Sequence, residues 1–420
     1  MKILVVGSGA REHTIVWKLS QSTKVKEIFA APGNAGTTML ARNLDINPTD
    51  IHTLLKTAIE KGVDLTVVGP EAPLAEGIVD EFQAKEIPIF GPTKAASQIE
   101  ASKVFAKELM QKYNIPCATS NSFSSYQEAK KYLERQPIPV VIKANGLAAG
   151  KGVIVAETME HAHQALGNIM LERVFGAAGD SVLIEEKLDG REMSVFSFSD
   201  TTTSIPSMPA CDYKPVFDGN RGPNTGGMGS YCPPKFLTTG LYEEINNTIM
   251  QPAVKAMQNE GVPYQGVLYG GLMITDTGPK VMEFNARFGD PETQVVLPRL
   301  KTDLLDIMQA VVNKKLNQIK IEWNNNACVG VVITSGGYPG NYKKEIPISG
   351  LDNLDDDILT FHAGTKHDEF GRFVTSGGRV LTIVATAETL AQARERVYNN
   401  ISRIQFEGCH YRKDIALLDY

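Results

Sequence analysis

Short apolar runs alternate with helical stretches through the first hundred residues. Residues 3–6, 28–31, 65–68 and 87–90 read as strands, and 11–19, 51–60 and 75–84 carry the wider apolar spacing of helices. That alternation predicts βαβ units and an N-terminal doubly wound parallel sheet, with ligands bound beyond the carboxyl ends of its strands. Three loops rich in glycine or proline occupy those ends: Gly7-Ser-Gly-Ala-Arg-Glu12, Pro32-Gly-Asn-Ala-Gly36 and Gly69-Pro-Glu-Ala-Pro73.

The pattern then changes. A helix is expected over 103–115, stopping before Pro116. Next come a strand at 118–123, a helix at 126–135, a hairpin over 140–155, a helix at 159–173 and a strand at 181–186, a compact α+β module. Residues 194–325 mix strands with glycine-rich loops and one helix, 241–260. The tail from Ala327 carries strands at 329–334 and 379–386. Its helix at 388–404 aligns Leu390, Ala393, Val397, Ile401 and Ile404 on one face, so a small α+β C-terminal domain is expected after a linker at Asn324-Asn-Asn326.

Bulk properties narrow the function. A chain of 420 residues with 42% hydrophobic and 21% charged residues is an ordinary multidomain globular enzyme by composition. Its net charge of −6 carries no basic footprint, so nucleic acid is excluded as a partner. Five cysteines, at 117, 211, 232, 328 and 409, form no CxxC pair and indicate neither a disulfide framework nor a zinc site. His161 and His163 diverge on a helix and make poor joint ligands. The five-residue apolar run near the N-terminus reads as a first strand rather than a signal peptide, and no run reaches the length of a membrane span. A cytoplasmic location is expected.

The hairpin VVIKANGLAAGKGVIV (140–155) is the most informative segment. Two β-branched runs flank a Gly/Ala loop, with Lys143 on one side and Lys151 on the other. Bare backbone lets amides approach an anion, and two ammonium groups suit a polyphosphate. It is not a Walker A loop: three residues separate Gly146 from Gly150, and Gly152 stands where a Ser or Thr would hold magnesium. The Gly7-x-Gly9-x-x-Glu12 turn lacks the third glycine of a dinucleotide fingerprint and places an acid there, though a helix N-terminus could hold a phosphate monoester. Glu71 fits either hydrogen bonding to ribose hydroxyls or a solvated loop acid. The GPNTGGMG run (222–229) is too glycine-dense for a strand or helix, as in loops that lie against a ligand. In KVMEFNARFGDPE (280–292), alternation places Glu283, Asn285 and Arg287 on one strand face and Met282, Phe284 and Ala286 on the other. A carboxylate and an amide oxygen form a hard-oxygen set suited to Mg²⁺, and Arg287 supplies a fork for a carboxylate or phosphate.

These motifs, with VGSGAREH (6–13), APGNAG (31–36), VGPEAPL (68–74), HAGTK (362–366), SGGRVL (376–381) and CHYRKDI (409–415), resemble the phosphoribosylamine–glycine ligase family of the ATP-grasp superfamily nearly end to end. The resemblance implies α/β and α+β multidomain architecture: an N-terminal doubly wound domain (1–102), a connecting helix (103–117), an ATP-grasp lid (118–190), an ATP-grasp central domain (191–325) and a small C-terminal α+β domain (326–420). It implies ATP as substrate with Mg²⁺ or Mn²⁺, and glycine and 5-phosphoribosylamine as the other small-molecule partners, in a monomer or weak homodimer. Lys103, Lys143 and Lys151 would contact ATP, the segment carrying Glu185, Glu186 and Leu188 would hold adenine, and Glu192 the ribose. Glu283 and Asn285 would bind metal. Glycine would lie near Arg287, Asp290, Gly226 and Gly227, and the amine near Glu71, Lys366 and Arg379. Arg287, Lys151 and Asp212 would be catalytic. The chain departs from the family's pattern at Asn145, where Asp is usual, at Tyr213, Pro215 and Arg221, and at Ala10 and Cys232, where Gly and Ser are common. Rival readings are another ATP-grasp ligase acting on a different small carboxylate or amine, an NAD-dependent oxidoreductase, and a nucleotide-binding regulator without turnover.

Overall fold

In the computed structural model, which describes residues 1–147 and 152–417, five strands form the first sheet. These are β1 (Lys2–Gly7), β2 (Glu27–Pro32), β3 (Arg42–Asn43), β4 (Leu65–Val68) and β5 (Ile89–Phe90), all parallel in the order β3-β2-β1-β4-β5. β1 runs Ile-Leu-Val-Val because both of its faces are covered, and Ile3, Leu4, Val5 and Val6 are fully buried. The order reverses between β1 and β4, so their carboxyl-end loops open a crevice. That crevice already holds a carboxylate. Glu12 is buried, accepts the Gly9 N–H at 2.6 Å and pairs with Arg11 Nε at 2.5 Å. A Cβ on Gly69 would lie 2.0 Å from Glu12 Oε1, and one on Gly7 2.6 Å from its Cγ. The acid fills the place a dinucleotide pyrophosphate would take, which removes the structural basis for the oxidoreductase reading.

The expected helix over 75–84 is two helices, Glu71–Glu76 and Ile78–Gln83, because Gly77 adopts φ 100° and ends the first as a left-handed cap. Glu71 thus opens a helix instead of lying in a loop. The helix Lys103–Lys112 starts on a Ser102 cap. β6 (Ser120–Phe123), β7 (Val140–Ala144), β8 (Val153–Ala156) and β9 (Val182–Glu186) form an antiparallel sheet ordered β6-β9-β7-β8. The hairpin therefore forms as its pattern predicts; its tip, with Lys151, lies outside the described residues.

β10 (Arg191–Asp200) and β11 (Ser204–Pro206) start a third sheet. The chain then leaves it for β12 (Cys211–Asp212), the small hairpin of β13 (Pro215–Phe217) and β14 (Arg221–Asn224), and β15 (Gly229–Cys232), before returning with β16 (Gln265–Thr275) and β17 (Gly278–Asn285). The third sheet is ordered β11-β10-β16-β17. The expected 241–260 helix is continuous but widens into a π turn at Asn246–Met250, just before Pro252, which lacks the N–H needed for a regular turn. The helix Leu304–Val312 is apolar nearly all round because it is wedged between β5, β10 and β16.

The last sheet contains β18 (Ala327–Thr334), β19 (Leu359–His362) and β22 (Arg379–Ala387), with the hairpin of β20 (Thr365–His367) and β21 (Phe373–Thr375) beside it. Its order, β12-β15-β18-β22-β19, shows that residues 211–232 supply two strands to it. The expected division at 325 runs through this sheet. Leu390, Ala393, Val397, Ile401 and Ile404 are all buried beneath the helix Leu390–Ile401.

First and last sheets meet at two buried histidines. His13 Nδ1 accepts the His362 N–H at 2.9 Å, and Asn34 Nδ2 donates to His362 O at 2.7 Å. Burial depresses both rings, His13 to about 3 and His362 to about 4. The unfolded chain, titrating near 6.5, takes up these protons first, so stability is full above pH 6.5 and falls as pH drops towards about 4. The slope should approach about 1.4 kcal/mol per pH unit for each ring. Thermal unfolding midpoints measured from pH 7 to pH 5 should fall steeply, and His13→Gln should flatten that fall; an equal slope in the variant would refute the assignment.

Candidate active site

The nucleotide side of the site is built from the lid sheet and the helix in front of it. Lys143, on β7, places its Nζ 2.7 Å from Glu185 Oε2 on the neighbouring β9, and donates to Met282 O at 2.9 Å. That carbonyl belongs to an irregularity in β17. Glu283 pairs with Gly271 but Val281 with Leu272, so Met282 is an extra residue. The strict alternation expected for 282–287 therefore holds only from Glu283 on. Val281 and Phe284 are buried, whereas Met282 is turned partly outward. Lys103 donates to Gly146 O at 2.9 Å, beside the hairpin tip. Burial, with Lys143 nearby, lowers its ammonium below the usual lysine range despite Glu283.

The Glu185 carboxylate, in the segment that the resemblance assigns to the adenine, is turned inward. It is buried between Lys143 and Lys107, whose Nζ lies 3.0 Å from Oε1. Glu186 accepts the Thr119 N–H at 2.8 Å while its own N–H goes to Thr119 O, and Leu188 is half-buried beyond the strand end. Glu192, at the start of β10, accepts from Lys214 Nζ at 3.0 Å. Lys107 escaped the sequence reading, although it stands one helical turn after Lys103, a spacing that puts both on one face.

Opposite the lysines stands Glu283. Burial pushes its carboxyl up, but Lys214, Lys143, Lys103 and Arg287 outweigh that and hold it below the usual range. Four cations from four segments converge on one carboxylate. Asn285 lies beside it, Nδ2 at 3.5 Å from Glu283 Oε1. Among the described residues there is no group of three or more His, Cys, Asp or Glu that could hold a metal ion. The Glu283–Asn285 donor set still fits a hard cation that takes most of its oxygens from phosphates and water. Asp212 is pushed up to about 7 by burial and by Glu292, Glu192 and Glu283, against the pull of Lys214.

Arg287 follows β17 rather than lying in it. Its Nη2 is 3.0 Å from Glu100 Oε1 and its Nε 3.3 Å from Glu71 Oε2. Glu100 is buried, accepts the Ala286 N–H at 2.7 Å, and is raised by burial and by Glu71. Glu71 is set against the guanidinium and lies outside the lining of the main cleft. No sequence signal marked Glu100, which precedes the capped helix by a short turn. Asp290 is 3.2 Å from Arg379 Nη2, and Arg379 Nη1 also donates to Asp290 O (2.9 Å) and Gly226 O (2.6 Å). Gly227, at φ 110°, presses on Pro291, where a Cβ would sit 2.3 Å from Cδ. Asp290, Lys366 and Arg379 line a cleft of about 660 Å³ between the first and last sheets, with Ser8, Asn34 and Ser376. Lys366 reaches it from β20 while pairing with Glu345 at 2.5 Å.

The departures from the family's pattern fall mostly outside the site. Tyr213 OH accepts the Ala416 N–H, and Arg412 lies over the Tyr213 ring and donates to Pro215 O, so these residues face the tail while Asp212 and Lys214 face Glu283. Asn145 accepts from Val104 N and Ser102 Oγ, bracing the N-terminus of the helix that carries Lys103. Cys232 accepts from the buried Arg299.

A lid sheet bearing Lys143, set with the helix of Lys103 over a central sheet bearing a carboxylate and an amide, defines the ATP-grasp class. The descriptions of phosphoribosylglycinamide synthetase match in three parts: its N domain over residues 1–100, its ATP-grasp (A) domain over 101–293 and its C domain over 328–418. The chain belongs to this family. It is 50% identical to a phosphoribosylamine–glycine ligase of Caldanaerobacter subterraneus, over 99% of both chains, and 49% identical to that of Halalkalibacterium halodurans, over 99% of this chain and 96% of the relative. The crystal structure of phosphoribosylamine–glycine ligase from Thermotoga maritima superposes with a TM-score of 0.87 at 32% identity, covering 99% of this chain and all of that one. A biotin carboxylase from Campylobacter jejuni, 15% identical over 99% of this chain and 94% of that one, shares the fold with a TM-score of 0.76.

The raised Asp212 carboxyl binds its proton more tightly folded than unfolded, so its contribution to stability declines as pH rises from about 4 through about 7. Asp212→Asn should therefore raise the thermal midpoint more at pH 8 than at pH 5, by about 2 °C or more. An equal shift at both values would mean that Asp212 is charged throughout.

Proposed function

We propose that the chain ligates glycine to 5-phosphoribosylamine at the expense of ATP, through glycyl phosphate, giving glycinamide ribonucleotide, ADP and phosphate in purine biosynthesis. What supports the site reading is that the charges of Lys103, Lys143, Lys214 and Arg287 all act on Glu283, with Lys143 reaching from the lid sheet to Met282 O of the central sheet, an arrangement suited to a charged phosphoryl group. Lys103, Lys143 and Lys151 hold the ATP phosphates, the backbone of the segment carrying Glu185, Glu186 and Leu188 borders the adenine, and Glu192 takes the ribose. Glu283 and Asn285 hold Mg²⁺ or Mn²⁺, which offsets charge on the phosphate oxygens when bound.

Glycine's carboxylate is poor as an acyl donor. Arg287, with Asp290 and the Gly226–Gly227 backbone, orients it so that its oxygen bonds to the γ-phosphorus while the bond to the bridging oxygen of ADP breaks. Lys151 offsets the charge that moves. The amine, seated in the cleft between the first and last sheets near Lys366 and Arg379, with Glu71 beyond its lining beside Arg287, then attacks the acyl carbon, and the carbon–oxygen bond to phosphate breaks. Asp212, held near 7, suits acceptance of the amine's proton. Lid closure over the site keeps water from the acyl phosphate.

A division into 1–102, 103–117, 118–190, 191–325 and 326–420 is supported by the four main sheets, with residues 211–232 bridging the last two parts. Among the described residues no helix is long and apolar enough to cross a membrane and no disulfide links the cysteines; a cytoplasmic location, as a monomer or weak homodimer, belongs to the same proposal.

Phosphate release should require glycine, phosphoribosylamine and ATP together; release without glycine would refute the substrate assignment and favour another small carboxylate. Lys143→Ala should lower kcat/KM for ATP by at least about a hundredfold while circular dichroism shows the chain still folded. Retained turnover would remove Lys143 from the site.

A further inference from the structure

Three buried charges stand behind the lid: Lys107, Glu185 and Lys143, each with less than a tenth of its side chain exposed. Each oxygen of Glu185 faces a different ammonium, Lys107 at 3.0 Å and Lys143 at 2.7 Å. The Lys107 ammonium has its remaining neighbours within the protein, donating to Ala118 O at 3.2 Å and lying beside the Cys117 thiol. Lys143 donates to Met282 O, a carbonyl of the central sheet, and so spans the gap between the two jaws. One carboxylate shared by two ammonium groups leaves this triad with a net positive charge. A buried excess charge is costly until a counter-ion arrives. Without Lys107, Glu185 would neutralise Lys143 and nothing in the triad would call for an anion.

We propose that Lys107 is a positioning residue for the nucleotide phosphates. By holding one oxygen of Glu185 it leaves Lys143 with positive charge to offer them, though it never touches the nucleotide itself. This rests on the ATP reading above and adds to it a residue acting from behind the site.

The test is calorimetric titration of the full chain with MgATP and, separately, with adenosine, which shares the ring and ribose but has no phosphate. Lys107→Met should weaken MgATP about tenfold, equivalent to about 1.4 kcal/mol, and leave adenosine within about twofold. Lys107→Arg should retain the wild-type ratio of the two affinities. The double variant Lys107→Met/Glu185→Gln removes both charges and should return that ratio to within about threefold of wild type, because Lys143 is no longer neutralised. Equal loss for MgATP and adenosine would mean that Lys107 merely supports the fold and would overturn the proposal. So would a double variant as weak for MgATP as the single one. Should Lys107→Met not fold, the double variant carries the comparison: a ratio near wild type supports the proposal and a tenfold lower ratio overturns it. Failure of the wild-type chain to bind MgATP at all would instead sink the ATP reading, and this inference with it.

Discussion

Arg287 is gripped by two carboxylates that reach it from different parts of the chain, Glu71 at the end of β4 and Glu100 just before the helix Lys103–Lys112, and the site is assembled around that grip. The guanidinium sits past the last residue of the central strand β17, so pairing it with Glu71 fixes the central sheet against the first sheet. Pairing it with Glu100 fixes both against the helix that carries Lys103 and Lys107. Arg11 adds a bond to Phe288 O from the first helix. Removing one partner of so buried a group would strand the other charges, and that cost makes the arrangement rigid.

The same economy of charge runs through the rest of the site. The central anions draw most of their cations from distant parts of the chain: Glu185 from Lys107 and Lys143, Glu283 from Lys103, Lys143 and Lys214 as well as nearby Arg287, and Asp290 from the last sheet through Arg379. Where cations dominate, as at Glu283 and Asp290, the carboxyl is held low. Where carboxylates crowd, as at Asp212 and Glu100, it is held high. Acids of one site are thus pushed in opposite directions, which a two-step ligation with one proton to move can exploit.

Much of this was legible in the sequence. β1 and β4 are short apolar runs rich in β-branched residues, β2 is a short apolar run before Pro32, and the hairpin at 140–155 declares itself by two β-branched runs around a small-residue loop. Lys143, Glu283, Asn285, Arg287 and Arg379 were named from residue type and local pattern or by the family resemblance, and the structure brings them to one region. The errors arose where one residue outweighed a pattern. Gly77 broke a helix and Met282 interrupted an alternation. Each acts through a backbone hydrogen bond or dihedral that a hydrophobic period does not record.

By itself the sequence determined the elements, the class of chemistry and the family, because strand runs, glycine loops and short motifs are local properties. Tertiary structure decided which charge answers which. Glu185 serves two lysines, Glu71 meets Arg287, and strands from 211–232 join the C-terminal sheet. These are pairings across tens to hundreds of residues. They are set by the high cost of leaving a buried charge unanswered, which depends on where the chain folds back and not on what stands next in line.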